Sequence, residues 1–513
     1  MRILSKSKLL AFRQCPKRLW LEIHRPELRE DSAASQASFA TGHLVGEIAR
    51  RLYDPSGKGR LVDISGEGVA AAIARSRELL DSPAPIFEAG FSADGARAFA
   101  DVMLPLRRGG RRVWRMIEVK SSASLKGYYR EDAAIQSFVV RRSGVPLHAL
   151  ALAHIDSSWT YPGGGEYQGL LTEIDLTEEA AARDAEVAAW ISVAQTVAAK
   201  RKEPERKTGK HCNEPYECGF LAYCSSCAEP AEYPVAWLPA IQTKALKGLI
   251  ENRGIADLRD IPDDLLNERQ LRVKACTLAG KTYFDAANAA RDLAAYGLPA
   301  YFMDFETIQL AVPIWKGTRP YQQVPFQYSV HRLSRTGKLD HRVFLDLSGN
   351  DPSRGFAESL LADCGERGTV FGYNIPFERS RLKELAGRFP RMSKALLALA
   401  DRLVDLQPVA EQRFYDPRQR GRWGLKNVLP AVAPDADHAN LDGVKAGGMA
   451  MEAYLEAISL STTAARKARL RQELLDYCER DTYGLVRLWQ YLAGGDDLEL
   501  YPWPSVPIPS RPC

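Results

Sequence analysis

The sequence predicts a multidomain α/β protein on three observations. A chain of 513 residues is longer than one hydrophobic core usually organises, so two or three domains are expected. Strand-like stretches with β-forming residues occur along the same chain as amphipathic helical ones. Two of the strand-like stretches, within 99–119 and 300–306, carry acids in apolar surroundings.

Three regions follow in order. Residues 1–235 combine helical, strand-like and cysteine-rich pieces, and 236–297 read as short helices. Residues 298–513 open on a strand and close on a helix followed by the Pro-rich tail YPWPSVPIPSRPC. The composition, 45% hydrophobic and 26% charged, is globular and leaves little room for extended disorder. A net charge of +5 permits nucleic-acid binding without demanding it. No window approaches the ~20 apolar residues of a membrane span. The basic opening MRILSKSKLLAF lacks the apolar run and cleavage site of a signal peptide. The expected location is the cytoplasm, where nine cysteines are not expected to form a disulfide framework.

In the first region, Phe99–Leu106 alternates, Arg107–Arg112 holds a Gly-containing turn, and Val113–Val119 forms a second strand, so the whole reads as a hairpin. Asp101 lies on the first strand and Glu118 on the second; Lys120, two residues on, shares the face of Glu118. Two carboxylates and an ammonium would then converge. The acids suit a hard divalent cation, and the lysine suits charge developing on a phosphate. An exposed Asp and a separate cross-strand Glu–Lys pair would give the same spacing. The set Asp101, Glu118-Val-Lys120 and Gln136 on the next helix resembles the RecB-like branch of the PD-(D/E)XK nucleases. That resemblance implies a restriction-endonuclease-like domain. In it, Asp101 and Glu118 would bind Mg2+ or Mn2+, Lys120 would complete the site, and Gln136 would lie close by. It also implies Glu88, in APIFEAGF, as a further acidic ligand and Ala40–Leu52 as the opening helix, with His43 and Glu47 outside the central set.

Cys212, Cys218, Cys224 and Cys227 crowd into KHCNEPYECGFLAYCSSC, and Cys15 lies near the N-terminus in AFRQCPKRLW. Crowded thiols in a reducing compartment favour a metal site. Four thiolates satisfy either Zn2+ or an iron–sulfur cluster. RecB-like nucleases of the CRISPR-associated and AddB types hold a [4Fe–4S] cluster on one Cys before the nuclease core and three after it. Resemblance to them implies Cys15, Cys212, Cys218 and Cys224 as ligands, with Cys227 in reserve. Cys276, Cys364, Cys478 and Cys513 are isolated and read as packing or surface residues. The charged connector KRKEPERKTGK, 200–210, reads either as a solvated linker or as a phosphate-facing segment.

In AYFMDFE, Asp304 and Glu306 are two apart on an apolar strand and leave the same face. A buried strand tolerates such neighbours only with a compensating cation or basic group; an edge strand with one wet face is the other reading. Downstream, TVFGYNIPFERSRLKELA predicts a strand, a turn at Asn374, and a helix from near Pro376 with Glu378 in its first turn. LLDYCERDTYGLVRLWQYL predicts an amphipathic helix with Tyr477 and Asp481 on one face. The Asp-x-Glu strand, strand–helix acid and Tyr-x-x-x-Asp helix resemble the DEDD exonucleases of the ribonuclease H-like fold. The resemblance implies that Asp304, Glu306, Glu378 and Asp481 hold two divalent ions and that Tyr477 orients the attacking water. Glu378 stands where that family has Asp, with Asp405 in RLVDLQPV as the alternative acid.

GRWGLKNVLP resembles a further segment of that family and implies a phosphate contact for Lys426. In KGTRPYQQVPFQ, Arg319 and Tyr321 read either as contacts to a single nucleic-acid strand or as ordinary loop packing. GIADLRDIP resembles a helix-hairpin-helix linker that would grip a DNA backbone. The string MDFETIQLAVPIWKGTRPYQQVPFQYS resembles a bacterial family that joins a RecB-like nuclease domain to a C-terminal half of unknown function. The expected function is metal-dependent hydrolysis of DNA, in preference to RNA, for end or branch processing in repair or defence. A nucleic-acid-binding or scaffold protein with one or both centres inactive is the competing expectation.

Overall fold

The computed structural model describes residues 2–227 and 231–494; the Pro-rich tail and Cys513 lie outside the described residues. The chain is a mixed α/β protein that divides into two compact units. One comprises Met1–Glu229 with Gln309–Gln322, the other Pro230–Ile308 with Gln323–Cys513.

The first unit opens with β1 (Leu4–Ser5), α1 (Lys6–Gln14) and α2 (Pro16–His24). Ser5 caps α1 by accepting a hydrogen bond from the Lys8 amide. Pro16 starts α2 and restricts the residue before it, so Cys15 is extended at φ −161° and the two helices part there. Next come α3 (Ala33–Tyr53), β2 (Arg60–Leu61), α4 (Val69–Leu79), β3 (Ile86–Ala93), β4 (Ala96–Arg108) and β5 (Arg111–Lys120). The unit continues with α5 (Gly127–Arg142), β6 (Leu147–Ile155), β7 (Leu171–Asp175), α6 (Asp184–Ala198) and α7 (Leu221–Ser226).

The sheet runs β2-β3-β4-β5-β6-β7, with β1 paired to β4. The expected hairpin is β4–β5, extended at both ends. Its turn residues Gly109 (φ 55°) and Gly110 (φ 75°) are both left-handed, which a two-residue hairpin requires and glycine supplies without strain. Strands β5 and β6 are parallel and therefore need a crossover, which α5 makes. The helix buries Ile135, Phe138 and Val139 in the same core as Met103, Trp114 and Met116 of the sheet.

The second unit contains α8 (Lys244–Arg253), α9 (Glu268–Ala279) and α10 (Ala286–Leu293). These residues, read from the sequence as a separate helical segment, share one core with the rest of the unit. Leu246, Leu258, Val273 and Leu293 are buried together with Phe302, Phe371 and Leu488. Short helices with small apolar faces cannot close a core alone, and local sequence does not disclose what will cover them.

The second sheet is built from β8 (Ala300–Gln309), β9 (Gln323–Leu333), β10 (Leu339–Leu345), β11 (Thr369–Gly372) and β12 (Leu403–Asp405), in the order β10-β9-β8-β11-β12. β8, β11 and β12 run parallel, and β9 and β10 antiparallel. The central position of β8 buries most of its length, so its two acids stand among apolar residues. The long α11 (Ala464–Ala493) buries Leu474, Tyr477, Cys478 and Asp481. Among the described residues, no helix is long and apolar enough to cross a membrane.

Candidate functional site

Asp304 and Glu306 leave β8 together, and Asp481 meets them from α11. One carboxylate oxygen from each lies within 4.8 Å of the other two, with Glu306 and Asp481 buried and Asp304 half-buried. Burial raises Asp304 well above the usual carboxylate range, and the charges of Asp481 and Glu306 add to the rise. Burial followed by Asp481 pushes Glu306 up to about 8. Tyr477 lies one turn before Asp481; its hydroxyl accepts a hydrogen bond from Lys426 Nζ at 2.7 Å. The same ammonium donates to the Lys445 carbonyl at 3.1 Å. His438 Nε2 is 2.8 Å from Asp481 Oδ1, and no periodic pattern in DADHANLD marks that histidine in advance.

Glu378 occupies the first turn of the helix Pro376–Arg388, as expected, and is buried. Its Oε2 has no hydrogen-bond partner among the described residues. Burial, then Asp405, raises its carboxyl to about 7. Asp405, the alternative acid, is committed to the backbone. It accepts the amides of Asn374 at 2.9 Å, Ile375 at 3.2 Å and Gln407 at 2.9 Å. Asn374 is left-handed (φ 61°), a conformation asparagine tolerates, so Asp405 fixes the turn from which the Glu378 helix starts. Hard oxygen donors gathered in this way fit Mg2+ or Mn2+.

The other acidic group lies in the first unit. Asp101 and Glu118 sit one residue beyond the Val102–Ile117 pair of the hairpin. Glu118 Oε1 accepts hydrogen bonds from Lys120 Nζ at 2.6 Å and Lys6 Nζ at 2.9 Å, and the Gln136 amide donates to Oε2. Asp132 pairs with the same ammoniums, at 2.6 Å from Lys120 and 3.0 Å from Lys6. Asp101 Oδ2 accepts the Val119 amide at 2.7 Å. Burial opposes ionisation of Glu118, but Lys120 and Lys6 outweigh it and hold the carboxyl below its usual range. Burial and the Glu118 charge raise Asp101 well above that range. Glu88 is left-handed at φ 56°, uncommon for a non-glycine residue, and burial with Glu118 raises its carboxyl. His43 and Glu47 are exposed on α3. Two members of this group were not foreseen. Asp132 was legible, one turn before Gln136 on the same helix face; Lys6 comes from the far N-terminus and carries no local signal.

Cys15, Cys212, Cys218 and Cys224 line a single small cavity together with Lys17, Arg18 and His211. Cys227 is exposed and absent from that lining. Burial raises the Cys218 thiol, and it raises Cys224 to about 11. Among the described residues no three of these sulfurs come within 4.8 Å of one another. A single zinc with Zn–S of ~2.3 Å needs sulfurs ~3.8 Å apart. The thiols thus ring a space that could hold a polynuclear cluster.

One further group does not make a metal site. His331, His341 and Glu479 come within 4.8 Å, but the imidazoles are stacked, with centroids 4.4 Å apart and planes 19° apart. Lone pairs lie in the ring planes, and two nearly parallel planes do not meet at one ion; Ser329 and Thr482 take up the ring nitrogens by hydrogen bonds instead. Arg319 is exposed, whereas Tyr321 is half-buried with its hydroxyl donating to the Ser121 carbonyl.

A family model described as a domain of unknown function (DUF2779) matches residues 301–424. The match takes in Asp304, Glu306, Glu378 and Asp405 and stops before Lys426, Tyr477 and Asp481. A comparison with curated proteins finds no match.

Proposed function

We propose that this chain is a metal-dependent nuclease acting on DNA, with its principal centre at Asp304, Glu306, Glu378 and Asp481. The observation that carries the reading is the convergence of Asp304, Glu306 and Asp481 in the interior. Adjacent carboxylates withdrawn from water are strongly disfavoured unless cations join them. Bound Mg2+ or Mn2+ supplies an acidified water and neutralises charge on the scissile phosphate. Asp304, Glu306 and Asp481 would hold it, and Glu378, outside that group but near enough for its charge to raise both Asp304 and Glu306, would extend the donor set with its unpartnered oxygen. Tyr477 is the group to orient the attacking water, with Lys426 fixing its hydroxyl. The Asp-x-Glu strand, helix-start Glu and Tyr-x-x-x-Asp helix support a ribonuclease H-like domain of the DEDD exonuclease type.

The succession from α3 through β3, β4, β5 and α5 to β6, with Asp101, Glu118, Lys120 and Gln136 together, supports a RecB-like PD-(D/E)XK domain. The ring of Cys15, Cys212, Cys218 and Cys224 around one space fits a four-thiolate site, and the resemblance to RecB-like nucleases favours a [4Fe–4S] cluster there, with Zn2+ as the alternative. Two centres on one chain suit end or branch processing in DNA repair or defence. A second reading, in which the first centre binds nucleic acid without cutting it, is favoured by one observation: Lys6 and Lys120 already neutralise Glu118 and Asp132.

The test uses the purified full chain with Mg2+ or Mn2+ and labelled single-stranded DNA, double-stranded DNA and RNA. DNA should be cut, the cutting should stop in EDTA, and Asp304→Ala should lower it about 100-fold or more. A folded wild type that cuts nothing, or an Asp304→Ala protein that cuts as wild type does, would defeat the reading. Asp101→Ala in the Asp304→Ala background, where residual cutting either stops or is unchanged, decides between the two readings of the first centre.

A further inference from the structure

The segment Gln309–Gln322 is spliced between β8 and β9 of the second unit yet belongs to the first. Its Ala311 and Val312 are buried with Val45, Ile48, Ile155 and Leu170. Tyr161 holds it by two backbone hydrogen bonds, donating to the Thr318 carbonyl at 2.9 Å and accepting from the Gly317 amide at 2.8 Å. At its end Tyr321 is left-handed (φ 59°), an uncommon backbone state for a bulky residue, and its amide donates to the Leu310 carbonyl at 2.7 Å. The Tyr321 hydroxyl donates to the carbonyl of Ser121, the residue after Lys120, where β5 ends. The Tyr129 ring also stands near this point, its centroid 5.4 Å from Lys120 Nζ.

We propose that Tyr321 is a positioning residue of the first centre. By pinning the chain where it leaves β5, it keeps the Lys120 ammonium between Glu118 and Asp132. The proposal rests on the reading of Asp101, Glu118 and Lys120 as a cleavage centre. It also gives the spliced segment a purpose that packing alone does not require: the strand that bears Asp304 and Glu306 runs directly into the piece of chain that completes the other centre. Removing one hydroxyl leaves the Ser121 carbonyl without its donor and loosens the chain that follows Lys120, while Lys120 itself keeps its pairing with His154 on β6. The hydroxyl is taken up by the Ser121 carbonyl rather than offered to a substrate, so turnover should suffer rather than binding.

Tyr321→Phe in full-length Asp304→Ala protein isolates the effect. Two readouts are taken together: kcat and KM on labelled DNA, and hydrogen exchange of peptides covering residues 119–126. We expect kcat to fall about tenfold with KM unchanged, and exchange to rise in those peptides alone. Second-centre cleavage by Tyr321→Phe in the Asp101→Ala background reports on folding. Unchanged exchange overturns the pin, whether or not the protein cuts DNA. Raised exchange with unchanged kcat overturns the positioning role, and so does an equal loss at both centres. If exchange rises but the Asp304→Ala parent cuts nothing, the cleavage reading of the first centre fails, and the positioning role fails with it.

Discussion

At Glu306 the opposition of burial and charge sets a pH dependence. Its carboxyl is pushed up from 4.5 to about 8, so between those values the folded state keeps a proton that the unfolded chain has released. Stability falls as pH rises wherever the native state binds more protons. The penalty is absent below the lower value and complete above the upper one. His331 and His341, both lowered by burial, give the opposite trend, but below about 6.5. Glu118, held low, loses its contribution only in acid. In EDTA, the urea midpoint should therefore drop from pH 6.5 to pH 8. Glu306→Gln should flatten that drop and stabilise the metal-free protein at pH 8 by on the order of 2 kcal/mol. An unchanged drop in the variant would mean that Glu306 is ionised without cost. Glu118→Gln should act in the other direction. It strips one carboxylate from two ammoniums and should cost about 3 kcal/mol in urea unfolding at pH 7.

Elements differ in how openly they declared themselves. The β4–β5 hairpin was legible because alternation and a Gly-Gly turn agree locally. Asp304 and Glu306 were legible because carboxylates on an apolar strand conflict with their surroundings. Tyr477 and Asp481 shared a helix face by their spacing, while only the resemblance to the DEDD exonucleases joined them to Asp304 and Glu306. Lys6, His438 and the 309–322 segment were not, since each meets its neighbours only through tertiary contacts remote in sequence. Asp405 was legible as an acid but not as a cap, because a carboxylate has the same appearance in sequence whether it serves a metal or three amides. Its role is testable at this scale. Asp405→Ala should cost about 2 kcal/mol and lower second-centre cleavage through the freed Glu378 turn, whereas Asp405→Asn, which keeps an acceptor oxygen, should recover part of both. Equal cleavage by wild type and Asp405→Ala would show that the turn does not hold Glu378.

At the scale of the whole molecule, Cys15 and the 212–224 thiols tie the two ends of the first unit around one cavity. If they hold a cluster, the purified protein should be brown, absorb near ~400 nm and contain iron. Cys15→Ser should lose the colour and the cooperative unfolding of that unit, while Cys227→Ser should keep both; zinc in place of iron would refute the cluster. The central claim concerns the other unit, where the carboxylates of Asp304, Glu306 and Asp481 come together in the interior. The most direct measurement is anomalous scattering from crystals of the protein soaked in Mn2+. The proposal requires a peak about 2.1 Å from oxygens of Asp304, Glu306 and Asp481, lost in Glu306→Gln. Saturating Mn2+ with no peak at those carboxylates would contradict it.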